Sequence, residues 1–514
     1  MQRRRFLAVL GLGAAELAAC TASGSAPAPS SSVPHTRATG PSRSPGTSAA
    51  PRTSRVAPAT SRAPRTLQQL ATVLDGQVVT HGENGFRAAR RAYDPIFDHQ
   101  RPAAVVRCRS ADDVARAVEY GASSGTTVAA RSGGHSYAGY STPNRGIVVD
   151  LSALSGVRVD GTSVKVGAGA RLIEVYTALG RAGRAMPAGS CPTVGIGGLA
   201  QGGGVGVLTR SYGLTCDRLT GAEVVTADGV VHRVSAQHDS DLYWALRGGG
   251  GGNVGVVTSF TFSTEPAPDL VKFGLQFPNG TAADVFGAWQ DTLAHAPDEL
   301  NISCSITASD QPYAFVYGTY LGSEPAAHRQ VNAFVKRAGV HPNYRQVTAM
   351  SVEDAMYSYA KCTGLTLAQA GPSWTGPGPG TIGRSTFVGT SRILRHQVDP
   401  AALVGAVQGS NTAVLVDAID GAAGRVAPAA TAFPHRGALA TVQIYQGGSD
   451  RSAIDAVRTS LGHLMGPYGY VNYIDPAMPD WPRAYYAGNL TRLRSVAKKY
   501  DPHRVFDFAQ NVNA

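Results

Sequence analysis

A chain of 514 residues with 43% hydrophobic content can bury a large core and hold two or more folding units. Its formal charge of +11 is concentrated at the start: residues 1–65 carry nine arginines against one acid, Glu16, and taking that +8 from +11 leaves +3 for the rest. A body so close to neutral excludes a nucleic-acid footprint.

The opening "MQRRRFLAVLGLGAAELAAC" has a charged n-region, an apolar stretch too short to span a bilayer, and small residues before Cys20. It reads as an export signal over residues 1–20. Arg3-Arg4 followed by Phe6-Leu7 resembles a Tat-type signal, which hands over proteins already folded, and Leu17-Ala18-Ala19-Cys20 resembles a lipobox, although Glu16 interrupts the apolar stretch. A lipidated Cys20 would place the protein on the outer face of the cell membrane; without lipidation it would be secreted. Residues 21–65 are mostly Ser, Ala, Pro, Thr and Arg, a composition that cannot offset its ordering entropy, and are expected to be a disordered tether.

Next, "AAVVRCRSADDVARAVEYGASSGTTVAA" predicts strand, helix and strand, with Ser110 as N-cap and Val114, Ala117 and Val118 as the apolar stripe. It leads into "RSGGHSYAGYS". Short strands "IVVDLS" and "SVKVGAGA", the helix "RLIEVYTALGRAG" and the glycine-rich "GSCPTVGIGGLAQGGGVGVLTRSYG" follow, and the strands "AEVVTADG" and "VVTSFTF" flank a helical "SDLYWALRGGGGGN".

After Pro266 the pattern changes to period two. Ile302, Cys304 and Ile306 alternate with Ser303, Ser305 and Thr307; Tyr313, Phe315 and Tyr317 share a side; Ala440, Val442 and Ile444 oppose Thr441, Gln443 and Tyr445. These predict antiparallel strands with one face in a core. The polar face can roof a substrate or meet solvent. The chain ends in a helix with Leu490, Leu493 and Val496 on one stripe, stopped by Pro502.

Without Cys20 there remain Cys108, Cys191, Cys216, Cys304 and Cys362, an odd number, so at least one is free, bonded to another molecule or bonded to a cofactor. No His/Cys spacing suits a metal, and none is expected. The glycine-rich segments match neither a P-loop nor a Rossmann fingerprint, which leaves a dinucleotide held in extended form by several loops.

Five ordered motifs, "RSGGHSYAGYS", "GSCPTVGIGGLAQGGGVGVLTRSYGLTCDRL", "ALRGGGGGNVGVVTSFTF", "FPHR" and the terminal "YYAGNLTRLRSVAKKYDPHRVFDFAQN", resemble the berberine bridge enzyme-like FAD-linked oxidases of the vanillyl alcohol oxidase (PCMH-type FAD-binding) superfamily. The resemblance spans roughly residues 95–514. It implies an α+β fold: a two-part PCMH-type FAD-binding domain from residues 66–266 and the C-terminal segment 466–514, and a substrate domain, 267–465, whose antiparallel sheet roofs the flavin.

It further implies that FAD is bonded twice, by His135 to its 8α-methyl and by Cys191 to ring carbon 6. The cofactor loops would be Arg131, Ser132, Gly133, Gly134, His135 and Ser136; Cys191, Val194, Gly195, Gly197 and Gly198; Gly202, Gly203 and Gly204; Gly255 and Val256; and Asn472. The base that takes a hydroxyl proton would be Tyr473 of "NYID". A free phenol titrates near pH 10, so its surroundings must help it. Some relatives use a roof-strand glutamate instead; the corresponding stretch here, Val442 to Tyr445, has no carboxylate, and Gln443 and Tyr445 become expected substrate contacts. Val194, at the position that gates oxygen in such enzymes, implies an oxidase.

The expectation is therefore an exported oxidase of an alcohol or sugar hemiacetal, with small-molecule substrate and O2 as partners, a lipid anchor in the membrane, and no nucleic acid. Two alternatives stay open: an oxidase or cyclase of a secondary metabolite (alkaloid, polyketide or amine), and a surface lipoprotein that binds ligands with a vestigial flavin site.

Overall fold

The computed structural model describes residues 63–375 and 378–514; the expected signal, Cys20 and tether residues 21–62 lie outside the described residues. The first sheet is built from β1 (Gln77–Thr80), β2 (Ala104–Arg107), β3 (Val128–Arg131) and β4 (Ile147–Asp150), in the order β1-β2-β4-β3. β2 and β3 run parallel to β4 on either side of it, and the helix Ala111–Ser124 connects them. Ser110 caps that helix by accepting from the Asp113 N–H at 3.1 Å, and Gly125 ends it at φ 66°. Val114, Ala117 and Val118 are fully buried. The element, its cap and its stripe are as expected.

A second, antiparallel sheet follows from β5 (Val157–Asp160) and β6 (Ser163–Gly167); β7 (Arg184–Ala185) stands apart; β8 (Leu219–Val225), β9 (Val231–Ser235) and β10 (Val256–Ser263) complete the order β5-β6-β10-β8-β9. β11 (Glu265–Pro266) pairs with β7. Both sheets share one core, and the C-terminal segment returns to it: Leu493, Val496, Ala497, Phe506 and Val512 are buried there, and the Val128 N–H donates to the Val505 carbonyl at 2.9 Å.

Seven strands form the third sheet: β12 (Leu270–Gln276), β13 (Leu300–Thr307), β14 (Tyr313–Leu321), β15 (Tyr344–Met350), β16 (Phe387–Leu394), β17 (Ala413–Ala418) and β18 (Ala440–Gly447), in the order β15-β12-β14-β13-β17-β18-β16 and antiparallel throughout. One face, with Ile302, Cys304, Ile306, Val416, Val442 and Ile444, buries against four helices, Ala282–Leu293, Glu324–Ala338, Pro400–Val407 and Ser452–Met465. Register sets the other face. Tyr317 stands opposite Ser303, Ser303 opposite Asp417, and Asp417 opposite Thr441, so a row of polar side chains crosses four strands. That face meets an internal cavity rather than solvent. The fold is α+β, with an antiparallel sheet as a roof.

Candidate functional site

A cavity of about 310 Å³ lies between the first core and the polar face of the seven-stranded sheet. Two loops make its floor. Gly133 and Gly195 have a strict steric reason to lack side chains: a Cβ on Gly133 would stand 2.3 Å from the Gly195 nitrogen, and one on Gly195 would stand 2.0 Å from Ser132 Oγ. The backbones can therefore press together, and His135 and Cys191 reach the same cavity.

Burial pushes the His135 imidazole down to about 3, so it is neutral at physiological pH. Its Nε2 lies 3.0 Å from Thr193 Oγ1. The ring stacks on Tyr93, with centroids 4.1 Å apart and planes at 15°. Cys191 stands at the start of the second floor loop and lines the cavity beside His135. Cys108, Cys216, Cys304 and Cys362 are free and buried.

Ser132, Gly133, Gly134, Ser136, Val194, Gly195, Gly197, Gly198 and Asn472 also line the cavity. Seven other expected site residues stand behind the wall. Arg131 is held by Asp150 at 2.5 Å and by the Ala89 carbonyl, bracing the loop that follows β3. Gly202 makes room for a side chain: its Cβ would stand 1.9 Å from Asn472 Oδ1. Gly203 packs beside Phe433 and Tyr470, and the Gly204 N–H donates to Tyr470 Oη at 2.8 Å. Gly255 and Val256 lead into and begin β10, where Val256 pairs with Val225. Tyr445 is buried with Tyr93, Trp374, Phe387 and Leu415, and stacks on Phe387 at 5.1 Å. It backs the wall of the cavity and is not among the residues that line it.

The strap Val471–Tyr473 crosses from the C-terminal segment. Asn472 Nδ2 donates to the Leu199 carbonyl at 3.0 Å and to Tyr470 Oη at 2.8 Å. Two residues beyond Tyr473, Asp475 is fully buried and clamped by Arg451 and Arg458, each at 2.6 Å. The Tyr473 ring, fixed by these anchors, stacks on Tyr137 at 5.6 Å and 25°, and Gln443 Nε2 donates to Tyr137 Oη at 2.5 Å. Tyr473, Tyr137 and Gln443 all face the cavity.

Several lining residues escaped the sequence reading: Tyr137, Ser141, Gln201, the run Gly250–Asn253, Ser303, Tyr317, Phe387, Asp417, Tyr486 and Phe508. Asp417 is the important omission. The stretch Val442 to Tyr445 does lack a carboxylate, yet Asp417 supplies one to the roof from the neighbouring strand β17. An acid inside "AVLVDAID" was the available signal.

Glycine loops below, a polar roof above and a neutral buried imidazole define a site for a flat, extended cofactor beside a polar substrate. Residues 102–235 match the FAD binding domain family, and residues 469–513 match the berberine and berberine-like family. The uncharacterized FAD-linked oxidoreductase YgaK of Bacillus subtilis is 31% identical over 455 residues, covering 86% of this chain and 97% of its own. A chitooligosaccharide oxidase of Gibberella zeae is 30% identical, covering 80% and 87%. Among solved structures, the glucooligosaccharide oxidase of Acremonium strictum, described with a 6-S-cysteinyl, 8α-N1-histidyl FAD, superposes with TM-score 0.77 at 26% identity, covering 86% and 98%. The chain belongs to the berberine bridge enzyme-like FAD-linked oxidases of the PCMH-type superfamily.

The residues present fit FAD. Gln201 Oε1 and Ser141 Oγ are buried polar atoms without a hydrogen-bond partner in the structure, and both residues line the cavity. A Cβ on Gly198 would meet open space.

Proposed function

We propose that this protein is an exported oxidase of an alcohol or sugar hemiacetal, holding FAD through His135 and Cys191 and releasing H2O2. FAD, when bound, supplies the hydride acceptor and passes the two electrons to O2. The chain supplies everything else. Tyr473 takes the substrate hydroxyl proton as hydride leaves the same carbon. Its strap is held by Asn472 and Asp475, so the phenol does not have to be ordered at each turnover. Asp417 and Gln443 face the same cavity and orient substrate hydroxyls, and the Tyr137 face gives the apolar side of a ring a surface to rest on. Val194, small and on the floor, leaves room for O2.

The observation that carries this reading is convergence: His135 and Cys191, far apart in sequence, line one cavity with Tyr473, Gln443 and Asp417. The carbohydrate-oxidising relatives support a sugar substrate. Arg3-Arg4 and Cys20 support export and a lipid anchor, which moving the protein from the membrane to the soluble fraction by Cys20→Ala would test. The reaction is tested by reading peroxide across a panel of reducing oligosaccharides. Peroxide formation with one or more sugars is expected. A yellow protein silent on every sugar would move the substrate to a secondary metabolite; a colourless protein from a FAD-replete host would leave only a binding module.

A further inference from the structure

The His135 imidazole is held on a face and on an edge by two residues that the hydride step does not use. Tyr93 covers the face at 4.1 Å and 15°. It is fully buried and packed with Trp374, Phe387, Leu415 and Tyr445, so it cannot swing aside without opening that cluster. Thr193, itself 1% exposed, meets the edge: its Oγ1 is 3.0 Å from Nε2. When the Thr193 hydroxyl accepts on that edge, the single N–H of the neutral imidazole is at Nε2 and Nδ1 carries the bare lone pair.

We infer that Thr193 and Tyr93 are positioning residues for flavin attachment, presenting Nδ1 of His135 to the flavin 8α-methyl. The inference rests on the reading that His135 carries FAD. Attachment replaces one C–H of the methyl group and the imidazole N–H by one C–N bond; two protons and two electrons leave to O2 as H2O2. After that exchange Nε2 has no hydrogen. The Thr193 hydroxyl, an acceptor before attachment, becomes the donor to Nε2 afterwards. Serine can make both bonds. Valine can make neither.

The test uses Cys191→Ala as the parent, so that only the His135 bond retains flavin after acid precipitation. Total bound flavin, read from absorbance before acid, separates a loss of attachment from a loss of folding. In this background Thr193→Val should lower the acid-stable fraction about fivefold, the scale of one lost hydrogen bond, while Thr193→Ser stays within about twofold of the parent. Tyr93→Leu should also lower it. Tyr93→Phe should not, because phenylalanine keeps the ring that covers the imidazole face. Full acid-stable flavin in both Thr193→Val and Tyr93→Leu would overturn the inference, as would a Thr193→Ser variant as poor as valine. A Cys191→Ala parent with no acid-stable flavin is a different result, and it would remove the His135 attachment itself.

Discussion

The floor and the roof of the cavity are built by opposite means. The floor is backbone against backbone: Gly133 and Gly195 touch where any side chain would collide, and function follows from atoms that are missing. The roof is side chains on paired strands, where Tyr317, Ser303, Asp417 and Gln443 project from a scaffold whose other face is a close-packed core. The floor should therefore fail when a methyl group is added, and the roof when a functional group is exchanged.

The strap between them is where the largest effect is expected. Tyr473→Phe keeps the ring stack on Tyr137 and removes only the hydroxyl, so steady-state peroxide kinetics should show kcat falling about 100- to 10,000-fold with flavin content unchanged. On the floor, Gly195→Ala must displace Ser132 Oγ and the Gly133 nitrogen, and should cost more than the about 1–3 kcal/mol of ordinary overpacking, read as loss of soluble, flavin-loaded protein. The roof should respond more gently. Gln443→Ala removes the donor to Tyr137 Oη, and KM should rise about fivefold while thermal unfolding stays put. If Gln443→Ala instead unfolds the protein, or Gly195→Ala is silent, the contrast between the two walls is gone.

The smallest effect lies at the joint. Asp94, next to Tyr93, accepts from the Ile96 N–H at 2.9 Å and from the Phe387 N–H at 3.3 Å, tying the floor to the start of β16. Burial raises its carboxyl to about 6. Between pH 4 and 6 the native state then holds a proton that the unfolded chain has lost, so this group's contribution to stability falls as pH rises through that window. Thermal unfolding of Asp94→Asn across that range should lack this fall.

The two walls were also unequally legible. Dense glycine around a histidine and a cysteine marks the floor in the sequence itself, and the alternation of Ile302, Cys304 and Ile306 with Ser303 marks a two-faced strand. Alternation does not say what the polar face meets. Asp417 joins Ser303 and Tyr317 only through the pairing of strands about 100 residues apart, so no local pattern could assign it. Glycine is ambiguous in a related way. Gly195 clears space for a neighbouring loop and Gly202 for the Asn472 side chain, and nothing in a run of glycines distinguishes these from a glycine that clears space for a ligand. Tyr445 shows the same limit on the roof: it has the right parity but sits one step beyond the cavity, against Phe387.

The most direct measurement is on the flavin's covalent bonds. Denatured protein digested with protease should yield a yellow species that links the peptide containing His135 to the peptide containing Cys191. If all flavin is released free on denaturation, or if the yellow peptides contain neither residue, the convergence of these two side chains on one cofactor is contradicted.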